Sequence, residues 1–171
     1  PGPNGIPYLL YKRCPGVQKL LYNRLKMAWR SRCVDEDWQK AEGVFIPKEK
    51  DSVTIDQFRP ISLLNVEGKI FFAVLARRLT NFALRNEYID RSIQKGGVPG
   101  VPGCIEHSSM IWEAIKRAKQ NQLSLHVVWL DLANAYGAVR HQLLWKTLQL
   151  HNVPEFFTDI LRQHFRHFKL R

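Results

Sequence analysis

Residues 123–141 bring together groups that can do phosphate chemistry. An apolar run over 123–130 ends abruptly in a single acid, Asp131. Apolar side chains fill both alternating sets of that run: Leu123, Leu125, Val127 and Trp129 on one, Val128 and Leu130 on the other. That pattern predicts a strand covered on both faces, inside a sheet. A carboxylate directly after such a strand stands where the sheet meets a cleft, and its hard oxygens suit a divalent metal ion. Residues 133–136 then lead into a segment with Val139, Leu143, Leu144 and Leu148 at helical spacing. The free N–H groups of a helix start suit phosphate, and Tyr136 adds an aromatic ring beside them. An Asp in this place can equally form a turn or cap a helix.

Two further cations are paired by pattern. Residues 43–48, Gly-Val-Phe-Ile-Pro-Lys, read as a short strand stopped by Pro47, a polar turn follows, and residues 58–64, Phe-Arg-Pro-Ile-Ser-Leu-Leu, read as its return. In such a hairpin Lys48 and Arg59 can reach one anion, the Arg through forked hydrogen bonds and the Lys as a point charge. Taken singly, each is an ordinary surface cation.

The elements that must position these groups are mostly helical. A helix is predicted from Pro15, with Val17, Leu20, Leu21, Leu25 and Ala28 on one stripe and Lys19, Arg24, Lys26 and Arg30 mostly off it. Asp35-Glu36-Asp37 reads as a helix start before Trp38, where acids oppose the dipole favourably. Residues 66–84 predict a long helix burying Ile70, Phe71, Val74, Leu75, Leu79 and Phe82, with Arg77 and Arg78 off the stripe and able to track a nucleic-acid backbone or simply to solvate the helix. Residues 94–103 hold four glycines and two prolines and read as a loop, in which Lys95 can touch phosphate. A helix over 105–119 is expected to turn Ile105, Ile111, Trp112, Ile115 and Ala118 inward. Another is expected over 141–150, and a last one from Pro154 with His164 as a partnered core histidine. Residues 1–7 are loop by composition, with Gly2 and Gly5 permitting close backbone approach or positive φ. A flexible terminus is the simplest reading of them.

Twenty-six basic residues against fifteen acidic ones give a formal charge of +11 over 171 residues, which favours a polyanionic partner. The 45% hydrophobic content suffices for a core, and no apolar stretch approaches the roughly 20 residues of a membrane span. Residues 1–10 lack the pattern of a secretory signal. The absence of an initiator Met suggests a chain cut from something longer. Cys14, Cys33 and Cys104 are odd in number, without Cys-x-x-Cys spacing, and read as free thiols in a reducing compartment rather than a zinc site.

Taken in order, several segments resemble a known family. These are Pro1-Gly-Pro-Asn-Gly-Ile-Pro7, Val44-Phe-Ile-Pro-Lys48, Phe58-Arg-Pro-Ile-Ser-Leu-Leu-Asn65 leading into Lys69-Ile-Phe71 and Arg77-Arg-Leu79, Gln94-Lys-Gly96, and Trp129-Leu-Asp-Leu-Ala-Asn-Ala-Tyr-Gly137 with His141. Their order and spacing resemble the reverse transcriptase of non-LTR (LINE-type) retrotransposons over nearly the whole chain. The resemblance implies an α+β right-hand polymerase, with fingers over 1–100 and the start of the palm over 101–171. It implies that Asp131 is the first metal-binding aspartate, joined by the backbone carbonyl of Leu132, and that the metal is Mg2+ (or Mn2+). Asn134 and Ala135 would offer backbone N–H groups to a dNTP. Tyr136 would sit under the sugar and exclude a 2′-hydroxyl, and Lys48 and Arg59 would clamp the β- and γ-phosphates. The implied partners are an RNA template, a DNA primer and the remainder of palm and thumb, with no membrane, and the implied location is a ribonucleoprotein in cytoplasm and nucleus.

The sequence departs from the family in two respects, one being that the motif holding the template–dNTP pair is missing. A reverse transcriptase palm also carries an aromatic-x-Asp-Asp turn, and no Asp-Asp pair occurs in these 171 residues. Phosphoryl transfer by two metals about 4 Å apart needs more than one carboxylate. The expectation is therefore a polymerase piece that does not polymerise alone. The alternatives are a nucleic-acid-binding module that has lost catalysis and, disfavoured by Tyr136, a polymerase that makes RNA.

Overall fold

The computed structural model describes residues 1–132 and 135–171. The described residues form helices and one small three-stranded sheet, an α+β composition, and the chain divides into two compact units. The first joins Pro1–Arg77 with Leu148–Arg171, and the second is Arg78–Thr147.

In the first unit, helix α1 (Tyr8–Arg13) is followed by α2 (Pro15–Ser31). Pro15 opens α2 where a missing N–H costs nothing, and Arg32 closes it in the left-handed conformation at φ 57°. Asp35 caps a short 3-10 turn over Glu36–Trp38 by accepting from the Asp37 N–H at 3.0 Å, so the acidic triplet is a helix start as its pattern predicts. Strand β1 (Lys40–Pro47) pairs antiparallel with β2 (Phe58–Leu64) in the predicted hairpin, which begins three residues earlier than the pattern indicated. Helix α3 (Val66–Arg85) leaves β2 at once. Helix α7 (Glu155–His167) takes Pro154 as its N-cap rather than as its first helical residue. A two-residue strand that the helical pattern concealed, β3 (Lys169–Leu170), then lies parallel to β1 and gives the order β2-β1-β3.

The core of this unit gathers Trp38, Val66, Phe71, Leu75 and Ile160, each 4% exposed or less. Trp38 and Phe71 meet at 5.3 Å between ring centroids. Gly68 makes that closeness possible, because a Cβ there would stand 2.9 Å from the Cβ of Trp38. Residues 1–7 are not a loose terminus. Gly2 is buried, and a Cβ on it would fall 2.3 Å from the backbone carbon and oxygen of Leu64. The Asn4 amide donates to Asn65 Oδ1 at 2.9 Å, and its side-chain amide reaches both Glu67 oxygens at 3.2 Å.

The second unit holds α4 (Cys104–Gln120), the four-residue α5 (Ala135–Ala138) and most of α6 (His141–Leu150). Two expectations fail here. Residues 123–132 form no strand, and their side chains are open, Val128 at 78% and Leu130 at 94% exposed. A strand exists only where a neighbour takes its N–H and C=O groups. The described sheet lies wholly in the first unit, and among the described residues nothing pairs with this segment. Apolar alternation records fitness for burial, and it does not supply the covering partner. On α4, likewise, Ile111, Ile115 and Ala118 are half-buried while Ile105 and Trp112 are 68% and 61% exposed.

Candidate functional site

The hairpin fixes where its two cations stand. Ile46 faces Arg59 and Pro47 faces Phe58 across the ladder. The Lys48 N–H bonds the Gln57 carbonyl at 2.9 Å and extends the pairing one step. Lys48 is therefore opposite Gln57, and Arg59, two residues beyond Gln57, shares its face as a diagonal neighbour. Cβ atoms in that relation are roughly 7–8 Å apart, within reach of one phosphate group for two long side chains. Both residues are exposed. Val44, Ile46 and Ile61 share the face, each 40–48% exposed, so an open apolar strip adjoins the two charges.

The turn between the strands is held by its own side chains. Gln57 Oε1 accepts from the N–H groups of Val53 at 2.6 Å and Thr54 at 3.0 Å, and the Ser52 hydroxyl donates to the Glu49 carbonyl at 2.9 Å. Lys48 Nζ donates to the Asp56 carbonyl at 2.7 Å. The Asp56 carboxyl is held below its ordinary pKa by the Thr54 hydroxyl first and by a backbone hydrogen bond next, with Lys48 adding a smaller pull. The ammonium is thus parked on the turn by a bond that an arriving anion can replace.

The remaining predicted residues fall in the second unit or on α3. Asp131 and Leu132 lie in the exposed segment without regular structure, Leu132 at 77% exposed. Ala135 opens α5, Tyr136 is fully exposed, and Asn134 lies outside the described residues. Arg77 and Arg78 are exposed on α3. Lys95 forms an ion pair with Glu106 that leaves its side chain 14% exposed, so its charge is already matched.

The donor set decides what a metal could find here. Asp131 is one carboxylate, and among the described residues no three His, Cys, Asp or Glu side chains come together. These residues do not by themselves complete a two-metal centre.

Sequence reasoning missed a buried polar cluster behind the hairpin. Glu67, 6% exposed, accepts from the Tyr11 hydroxyl at 2.6 Å as well as from Asn4. Burial and then Glu67 push the Tyr11 phenol well above its ordinary pKa. Asn65 completes the cluster by donating to the Asp37 carbonyl at 2.9 Å. These bonds tie the N-terminal loop and α1 to the junction of β2 and α3. The available signal was a Glu in the first turn of a helix that is otherwise apolar on that side.

Comparison with known proteins agrees with the motif pattern. Residues 46–170 match the family described as reverse transcriptase (RNA-dependent DNA polymerase). The chain is 25% identical over 163 residues, 95% of its length, to the Retrovirus-related Pol polyprotein from type-2 retrotransposable element R2DM of Drosophila melanogaster. It is 29% identical over 161 residues, 94% of its length, to that from type-1 retrotransposable element R2 of Bradysia coprophila. It is also 30% identical over 117 residues to the Transposon TX1 uncharacterized 149 kDa protein of Xenopus laevis, a match covering 68% of this chain and 9% of that protein. The chain spans 15% of the Drosophila relative and 18% of the Bradysia one. The chain therefore belongs to the reverse transcriptase (RNA-directed DNA polymerase) family, on its non-LTR retrotransposon side.

Proposed function

We propose that this chain is the fingers (1–100) and the start of the palm (101–171) of an RNA-directed DNA polymerase. In that reading, Lys48 and Arg59 hold the β- and γ-phosphates of the incoming dNTP. Their common face on the β1–β2 ribbon is the observation that carries the reading. Two cations on adjacent strands, beside an open apolar strip, suit a ligand with a polyanionic end and a base. Developing charge on a transferring phosphoryl group is stabilised by such fixed cations and by backbone N–H groups, here those of Asn134 and Ala135. In this reading Tyr136 lies under the sugar of the dNTP and selects against a 2′-hydroxyl. Asp131 and the Leu132 carbonyl are the chain's share of an Mg2+ (or Mn2+) site that needs further carboxylates. The chain alone is then inactive and works together with the rest of palm and thumb on an RNA template and DNA primer. We place it in a ribonucleoprotein of cytoplasm and nucleus. No helix of the described residues is long and apolar enough to cross a membrane.

The lack of an Asp-Asp pair in these 171 residues favours a second reading, a nucleic-acid-binding module without catalysis. Primer extension separates the two, run with this chain and with one lengthened past Arg171 to supply an Asp-Asp turn. The polymerase reading expects activity only in the longer chain, abolished by Asp131→Ala. An inactive longer chain leaves only the binding module, and activity indifferent to Asp131→Ala removes Asp131 from the metal site.

A further inference from the structure

The nucleotide-site assignment uses the hairpin and leaves the most lopsided stretch of charge unexplained. Residues 1–34 contain no Asp or Glu, yet carry Lys12, Arg13, Lys19, Arg24, Lys26, Arg30 and Arg32. Arg24 is matched by Asp35 at 3.0 Å from its Nε, and Arg32 lies over the Phe156 ring at 5.9 Å. Lys19, Lys26 and Arg30 take part in no ion pair among the described residues.

Helix geometry puts these three on one line. At about 100° per residue, Lys26 lies about 20° to one side of Lys19 and Arg30 about 20° to the other, whereas the buried Leu21 and Ala28 lie about 180–200° away. The stripe thus runs down the side of α2 turned away from its core, over a length of about 16 Å. Tyr22 flanks it at 60% exposed, its ring covered by Lys26 Nζ at 4.9 Å. Leu20 and Met27, 71% and 69% exposed, flank the other side.

We propose that this face of α2 binds a single strand of nucleic acid, with the phosphodiester backbone on Lys19, Lys26 and Arg30 and bases against Tyr22, Leu20 and Met27. Charge complementarity selects a polyanion. The flanking apolar and aromatic side chains select one whose bases are free, because an unpaired base can stack where a duplex offers only phosphates. The contact reads no sequence and is separate from the nucleotide site, so it stands whether or not the chain belongs to a working polymerase.

Fluorescence anisotropy with a labelled single-stranded RNA, and with DNA of the same sequence, tests this on the full chain from 50 to 300 mM salt. Each lost phosphate contact removes about 0.7 from the slope of log affinity against log salt, and about fivefold in affinity near 0.1 M. K19Q/K26Q/R30Q should flatten the slope by about 2 and weaken binding by about 100-fold near 0.1 M salt for both sugars. K19Q and R30Q alone should each take about a third of the slope change. A control with the same loss of charge on α4, K116Q/R117Q/K119Q, should leave most of the slope intact. An unchanged slope in the α2 variant, an equal change in the control, or a duplex of equal length competing as well as the single strand overturns the proposal. So does an α2 variant that loses binding only to anionic lipid vesicles.

Discussion

His164 is the residue whose behaviour with pH can be worked out most fully. It sits on α7 against Phe72 at 4.0 Å between ring centroids, with Phe168 at 5.5 Å and Phe165 at 5.7 Å. Its Nδ1 is buried without a hydrogen-bond partner among the described residues, so it is a core histidine but not the partnered one the sequence suggested. Desolvation pushes its pKa down from 6.5 to about 4. In the unfolded chain the imidazole takes a proton near pH 6.5, and in the folded chain only near 4. Protonation therefore favours unfolding. The neutral ring's contribution is complete above about pH 6.5 and is lost as pH falls from there towards 4. A difference of about 2.5 units corresponds to about 3 kcal/mol at most. Water reaches part of the ring, which reduces this to about 1–2 kcal/mol. At this chain length the loss is about 2–8 °C in Tm. Thermal unfolding read by Trp fluorescence, with Trp38 and Trp29 in the same unit, measures it between pH 7 and 4.5. The decisive quantity is the difference between the parent and His164→Leu, in which effects common to both proteins cancel. The Leu variant also removes an unsatisfied nitrogen, and it should equal or exceed the parent in stability at pH 7 and fall less steeply below pH 6.5. Parallel losses in the two proteins would refute the reasoning.

Tyr11→Phe should cost about 1–3 kcal/mol, because it strips the buried Glu67 carboxylate of its 2.6 Å partner; a Tm within 1 °C of the parent contradicts that role. Gly68→Ala sets a helix-propensity gain of about 1 kcal/mol against a Cβ placed 2.9 Å from Trp38, and overpacking of about 1–3 kcal/mol should win, read as a lowered Tm and a shifted Trp emission. In the lengthened polymerase, Lys48→Ala and Arg59→Ala should each raise the KM for dNTP by about tenfold, the scale of one charged hydrogen bond, with template binding little changed; equal losses in both would remove the clamp. Tyr136→Val in the same enzyme should let ribonucleotides compete, and unchanged sugar selectivity in single-nucleotide incorporation would take Tyr136 out of that role.

The helices at 15–31, 66–85, 104–120, 141–150 and 155–167 were legible because each carries a 3.6-residue apolar period, in places with a start signal that acts locally, such as Pro15 or Pro154. The hairpin was legible for the same reason, since Pro47 and the polar turn fix its register without distant help. That register brings Lys48 and Arg59 to one face, so this half of the candidate site follows from local sequence. The family was legible in short, ordered motifs. What depends on partners far along the chain was not. Asn4 and Glu67 are 63 residues apart, β3 pairs with a strand about 129 positions earlier, and the lack of a partner for His164 Nδ1 emerges only once three phenylalanines close round it. Residues 123–132 show the limit most plainly. Their alternation states that they suit burial, but burial is a relation between two surfaces, and a chain segment encodes only its own.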